Sequence, residues 1–295
     1  MAPVLVIHGG CGKFESASIG LEEYRSRLGD IVADGFDRLR DGDSADDVVM
    51  HVIRLLEDED IFNSGTGSKL QRDGRARMSA AFMNGREARF SAVMNVERVQ
   101  HPIDLARRLS GEQHTVLAGE PATKYAREQD FLPYNPVTPH REAEHRERIE
   151  GETGTCGAVV LDSDGLICVG TSTGGIGYEV PGRVGDSPTV AGTYAREKCG
   201  ISCTGVGEHI VNEAVAARTV TLVSGGMSLE AAVQEVVQRG NQCGYRYGLI
   251  SLDSSGKIAV GQTEGVITLF ACASNDGACT FLDRSASKYV VESGS

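Results

Sequence analysis

The sequence predicts an α+β fold with helices laid on antiparallel sheet, and three observations lead there. Helical and strand-like runs come in blocks instead of strict alternation, which disfavours a doubly wound parallel sheet. Asn84-Gly85 separates two β-prone runs, 76–83 and 88–93, and Asn-Gly in that setting is the strongest short hairpin signal. Asp162-Ser163-Asp164-Gly165 marks a second hairpin between 156–161 and 166–171. The 295 residues suffice for one large domain spanning 1–295 or for two ordinary ones.

The elements follow in order. Residues 4–7 are an apolar run stopped by His8-Gly9-Gly10-Cys11-Gly12, a buried strand opening into a close-approach loop. Tyr24, Leu28, Ile31 and Leu39 keep helical spacing, and Ser44-Ala45-Asp46-Asp47 starts a second helix faced by Val48, Val49, Val52, Ile53 and Leu56. Two helices in succession suggest one layer of a sandwich. After the first hairpin, Pro102 and Pro121 sit at first-turn positions of two further helices. Residues 135–154 are charged and lack apolar periodicity, so they read as a long mobile connection. Beyond the second hairpin, 208–223 reads as one helix and Ser228 opens another. Residues 247–252, 257–260 and 267–272 close the chain as strands.

Composition excludes several functions. Hydrophobic residues make up 40% and charged residues 24% of the chain, the balance of a soluble globular protein. A net charge of −12 would repel the phosphates of nucleic acid. The eight cysteines form no Cys-x-x-Cys pair and the seven histidines no ligand spacing, which points to free thiols in a reducing compartment and against a transition metal. The first residues lack a basic region and a long apolar core, and no later run reaches membrane length. The expectation is a cytoplasmic protein without a membrane partner. Gly65-Thr66-Gly67-Ser68-Lys69 follows a helix and lacks the Gly-Lys-Ser/Thr order of a phosphate-binding loop, so a nucleotide module is set aside.

The chemistry concentrates at Gly154-Thr155-Cys156-Gly157-Ala158, where a threonine stands between the mobile connection and a strand. An internal threonine has no base of its own. If the Gly154–Thr155 bond is cut, the new α-amine, with a pKa of about 7.7–8.0, lies within reach of the same residue's hydroxyl. One residue then supplies nucleophile and base. Arg183 and Asp186 lie three apart in a Gly/Pro-framed loop and together match a zwitterionic amino acid, the guanidinium for its carboxylate and the carboxylate for its ammonium. Thr204-Gly205-Val206-Gly207-Glu208 suits a helix N-cap.

These segments resemble the plant-type L-asparaginase and isoaspartyl aminopeptidase family of N-terminal-nucleophile hydrolases over nearly the whole chain. The likeness runs through His8-Gly-Gly-x-Gly12, Phe62-Asn63-x-Gly65, Met83-x-Gly-Arg86, Thr155-x-Gly-Ala158, Thr171-Ser-Thr-Gly-Gly175, Gly182-Arg-Val-Gly-Asp-Ser-Pro188, Thr204-Gly-x-Gly-Glu208 and Thr263-Glu-Gly265. The resemblance implies an αββα four-layer sandwich that cuts itself into an α chain, 1–154, and a β chain, 155–295, paired as (αβ)2. It implies hydrolysis of L-asparagine and of β-aspartyl dipeptides. Thr155 would be the nucleophile, oriented by Thr173 and approached by Asn63. Thr204 and Gly205 would stabilise the oxyanion, and Arg183, Asp186 and the Gly207 carbonyl would bind substrate. No cofactor is required, although main-chain carbonyls of Leu56, Glu57, Glu59, Phe62, Ser64 and Thr66 would hold a structural sodium ion. The bland alternative for residues 57–60 is a solvated helix end.

Ser79, Asn84, Cys156 and Gln262 depart from the family's usual residues, Cys156 reading as a small core residue. A glycosylasparaginase is the sibling alternative, and the Gly at 154, where that relative carries Asp, speaks against it. A catalytically silent member would remain uncut.

Overall fold

The computed structural model describes residues 1–12, 20–148 and 154–291. The opening strand β1 (Val4–Gly12) is buried throughout. Helix α1 (Leu21–Arg40) turns Leu28, Ile31, Val32, Phe36 and Leu39 inward, and α2 (Ala45–Asp58) adds Val48, Val49, Val52, Ile53 and Leu56. Ser44 caps α2 as its sequence predicts, its Oγ accepting the Asp47 N–H at 3.2 Å.

The first hairpin, β2 (Met78–Asn84) and β3 (Arg89–Val96), has a longer turn than Asn-Gly suggests. Its turn residues are 85–88. Asn84 ends the strand and accepts the N–H groups of Arg86 and Glu87 on its side-chain oxygen, at 3.0 and 3.1 Å. Next come α3 (Pro102–Leu109), β4 (Val116–Ala118) and α4 (Gly119–Glu128), with Pro102 and Pro121 in the first turns, as expected.

The connection across 135–154 is not structureless. Thr138 caps a short helix, α5 (Pro139–Arg146), whose one buried residue is Arg141. Periodicity could not reveal it, because the helix docks through hydrogen bonds and not through an apolar face. Residues 149–153 of this connection lie outside the described residues.

The second hairpin is β5 (Cys156–Leu161) and β6 (Ile167–Thr173). Two strands without a clear sequence signal follow, β7 (Thr193–Arg196) and β8 (Cys199–Gly205). The helix expected over 208–223 is two, α6 (Gly207–Glu213) and α7 (Val215–Ser224), broken by left-handed Ala214 at φ 48°. Helix α8 (Leu229–Gln242) starts at Ser228, which caps it. Strands β9 (Tyr247–Asp253), β10 (Ile258–Gln262), β11 (Ile267–Ser274), β12 (Gly277–Thr280) and β13 (Val290–Val291) complete the chain.

An eight-stranded sheet runs β12-β11-β1-β5-β6-β2-β3-β4, and a five-stranded sheet runs β13-β10-β9-β8-β7. One apolar core lies between the large sheet and helices α1 to α3, a second between the small sheet and α7 and α8. A third, with Val6, Val159, Val169, Ile250, Val260 and Phe270, fills the gap between the sheets. The order of layers is α, β, β, α, as the resemblance implies. The expected nucleophile stands at the start of β5, in the middle of the larger sheet.

Candidate active site

Thr155 is buried one residue ahead of β5. The antiparallel register sets Cys156 opposite Ser172, so Thr173 falls opposite Thr155. Their hydroxyl oxygens lie 3.0 Å apart. Thr173 Oγ1 also accepts the Gly175 N–H at 3.2 Å, which fixes its rotamer beside Thr155.

The Gly154 carbonyl, on the bond expected to be cut, accepts the Asn63 main-chain N–H at 3.0 Å. Asn63 is held on every side. Its side-chain oxygen accepts from Lys69 N at 2.8 Å, its amide nitrogen donates to Gly175 O at 2.6 Å, and its carbonyl accepts from Gly174 N at 2.8 Å. A Cβ on residue 154 would stand 2.9 Å from Asn63 Cβ. Only glycine allows that approach.

Behind Thr155, a polar chain crosses from sheet to sheet. His8 Nε2 lies 2.9 Å from Ser202 Oγ, which lies 2.7 Å from Thr171 Oγ1. Thr193 donates to Thr171 at 2.6 Å. Gly157 makes room for this chain, since a Cβ there would run into Ser202 Oγ and His8 Nε2. Burial pushes the His8 imidazole down to about 3, against a contact with the Thr155 main chain that favours the charged form. His8 is therefore a neutral partner at ordinary pH.

Thr204 shares a face of β8 with Ser202, two residues earlier. Its carbonyl accepts from Cys11 Sγ at 3.3 Å, at the end of β1 that lies beside Thr155. Its hydroxyl is fully buried without a hydrogen-bond partner among the described residues. The N-cap reading of Thr204 is corrected: α6 is capped at Val206 with no side-chain bond. Thr204 is the next-to-last residue of β8, and Gly205 closes the strand at φ 140°.

Arg183 and Asp186 converge on Gly207, where a Cβ would lie 2.8 Å from Arg183 Nη2 and 3.0 Å from Asp186 Oδ1. Arg183 pairs with Glu208 through two contacts of 2.8 Å. Glu208 is a site residue that sequence reasoning does not single out, although it closes the Thr204–Glu208 motif. Asp186 is buried, and its Oδ2 has no partner among the described residues. Burial pushes its pKa up to about 7, against the pull of Arg183. A buried carboxylate missing a donor is suited to an ammonium group.

Glu57 is not part of a solvated helix end. It is fully buried, accepts Ser172 Oγ–H at 2.5 Å and Ile103 N–H at 3.2 Å, and burial holds its carboxyl well above the usual range. The turn after it is lined by carbonyls. A Cβ on Gly65 would press on the Glu57 carbonyl, and Glu57 O accepts the Thr66 N–H at 2.7 Å. Such main-chain oxygens are ligands of the kind a hard cation takes.

The departures from family pattern are accommodated. Ser79 accepts the Asn95 N–H at 3.0 Å and Gln262 the Thr268 N–H at 3.1 Å. Cys156 is buried and its thiol is pushed up to about 12 by desolvation, so it is no rival nucleophile. None of the eight cysteines is in a disulfide.

Comparison with known proteins agrees with this geometry. A family model described as asparaginase matches residues 1–282. An isoaspartyl peptidase/L-asparaginase of Synechocystis is 41% identical over 282 residues, covering 89% of this chain and 85% of the relative. The plant-type L-asparaginase of Pyrococcus horikoshii is 35% identical, covering 86% and 91%, and the isoaspartyl peptidase of Escherichia coli is 36% identical, covering 89% and 91%. No described helix is long and apolar enough to cross a membrane. With the matched residues running from the first strand past β12, the chain belongs to the asparaginase family.

Proposed function

We propose that this chain cuts itself between Gly154 and Thr155 and then hydrolyses L-asparagine and β-aspartyl dipeptides, releasing L-aspartate. The observation that carries the proposal is the pair of contacts at one bond: Thr155 Oγ1 at 3.0 Å from Thr173 Oγ1, and the Gly154 carbonyl on the Asn63 N–H at 3.0 Å. In the first step Thr155 Oγ attacks the Gly154 carbonyl carbon, and charge develops on an oxygen that already has a donor. The C–N bond breaks, its nitrogen takes up the proton that Thr155 Oγ gives up, and water hydrolyses the ester. The products are a Gly154 carboxylate and a Thr155 with a free amine.

In the mature protein that amine takes the hydroxyl proton while Oγ attacks the substrate's side-chain carbonyl. Thr204 Oγ–H and the Gly205 N–H would meet the oxyanion. Arg183 binds the substrate α-carboxylate, and Asp186 with the Gly207 carbonyl binds the α-ammonium. Ammonia or the leaving amino acid departs, and water frees the acyl group from Thr155.

A sodium ion held by main-chain carbonyls of Leu56, Glu57, Glu59, Ser64 and Thr66 would stiffen the turn before Asn63, while Phe62 O, which the resemblance counts with them, already accepts from Arg141. No step passes through it. We place the protein in the cytoplasm, where eight cysteines outside any disulfide persist as thiols, and assemble it as (αβ)2. A denaturing gel with intact mass tests the reading: wild type gives two fragments, Thr155→Ala gives one band, and ammonia release from asparagine follows the cleaved form alone. Two bands in both samples would assign the cut to an outside protease.

A further inference from the structure

The helix in the segment ahead of the cut carries one buried side chain, Arg141, and what it touches is specific. Its Nε donates to Gly67 O at 2.6 Å, and its Nη2 to Ile61 O at 3.4 Å and Phe62 O at 3.3 Å. Its other edge pairs with Glu144 of the same helix at 2.9 Å. The guanidinium is 6% exposed, so these carbonyls replace water around a full charge. Two neighbouring contacts fix the segment to the same loop: Gly67 N–H donates to Pro136 O at 2.9 Å, and Thr66 Oγ1 lies 2.8 Å from the Tyr134 hydroxyl.

Phe62 O and Asn63 N belong to one peptide group. Arg141 holds its oxygen, and the Gly154 carbonyl accepts from its nitrogen. The group is planar, with oxygen and N–H on opposite sides, so fixing the oxygen aims the N–H. A cation on the carbonyl also withdraws electron density from the nitrogen and makes the N–H a stronger donor, as hydrogen bonds in series polarise one another.

We infer that Arg141 is a positioning residue for self-cleavage, acting through the Phe62–Asn63 peptide to aim and strengthen the donor on the Gly154 carbonyl. The inference rests on the self-cleavage proposed above. It also explains why a charged segment precedes the cut, since that segment carries the cation that prepares the bond for attack. The mature reaction uses other donors for its oxyanion, so the influence of Arg141 is confined to the first step.

The test follows freshly synthesised wild type, Arg141→Ala and Arg141→Lys by denaturing gel and intact mass over time. Asparagine turnover is measured per cleaved protomer. Cleavage of Arg141→Ala should slow by about 10- to 100-fold, since a supported oxyanion donor is weakened without being removed. Arg141→Lys should fall between, keeping charge but losing the fork. Low, non-denaturing guanidinium should speed cleavage of Arg141→Ala but not of wild type. Turnover per cleaved protomer should stay within about twofold of wild type.

Equal cleavage rates in wild type and both variants would overturn the inference. So would a loss of turnover matching the loss of cleavage without guanidinium rescue, which would make Arg141 a general prop of the loop. If Arg141→Ala fails to fold, the Lys variant decides by the same two measurements. A wild-type chain that stays whole overturns the parent proposal, a result distinct from cleavage that ignores Arg141.

Discussion

Arg183 and Glu208 form a two-point ion pair across the loop after β6 and the start of α6, 2.8 Å at each contact. The guanidinium is 14% exposed while Glu208 is 56% exposed, so the carboxylate steadies the arginine from the solvent side. Glu208→Gln should raise KM for asparagine by roughly tenfold and change kcat by less than about twofold, the pattern of lost ground-state binding. Arg183→Ala should cripple turnover and leave self-cleavage near the wild-type rate. Steady-state kinetics beside a gel time course separates the two effects, and a fall of both in Arg183→Ala would make the residue architectural.

Asp186, in the role proposed for it, should make substrate capture depend on pH. Its pKa of about 7 lies well above an ordinary carboxylate, so it becomes neutral as pH falls through neutrality and loses its hold on an ammonium. The expected profile of kcat/KM drops on the acid side of about pH 7, as for an essential deprotonated group in the free enzyme. Asp186→Asn should be slow throughout and show a shallower acid limb, with the Thr155 amine left as the group that must lose its proton. An unchanged acid limb in the variant would assign the titration elsewhere.

Gly154 should tolerate no side chain during maturation. In Gly154→Ala the new Cβ meets Asn63 Cβ at 2.9 Å, pushing the carbonyl off its donor. Cleavage is expected to slow by about tenfold or more, and turnover per cleaved protomer to match wild type. Intact mass over time reads the first and ammonia release the second. A fast-cutting alanine variant would remove the Asn63 N–H from the first step.

His8 links stability to acid. An unfolded chain protonates this histidine near about 6.5, while the folded one resists until about 3. Between those values the unfolded state binds more protons, so stability falls as pH falls through that window. The loss between about pH 7 and pH 5 should be about 2 kcal/mol. Urea unfolding at both values should show His8→Gln losing less stability than the wild type by about that amount, a difference from which Asp186 drops out, its raised pKa gaining stability as pH falls over the same range. Equal slopes in the two proteins would show that His8 is not buried neutral.

Much of the site was legible because its chemistry is carried by unusual residues at fixed spacing. Thr155, Thr173, Arg183 and Asp186 stand in glycine-punctuated motifs, and the hairpin of β5 and β6 shows plainly how residues eighteen apart meet. The missed parts have physical causes. Strands β7 and β8 bury Thr193, Ser202 and Thr204 between the sheets, so apolar alternation fails where the buried face is polar. Glu57 looked like one of four acids at a helix end, and no local pattern shows that one of them turns inward to Ser172. Arg141 was one charge among many in 139–146, because a side chain that docks on carbonyls leaves no hydrophobic signature. Ala214 breaks a helix whose residues all suit a helix, and the two halves are directed by what they pack on.

The strand order of the larger sheet has a consequence for the two polypeptides that maturation would leave. Strand β5, from the downstream piece, lies between β1 of the upstream piece and β6, and β6 in turn borders β2 of the upstream piece. The halves are interlaced like fingers, each supplying rungs to a ladder that neither could build by itself. Made as separate genes, they would have to fold in each other's company.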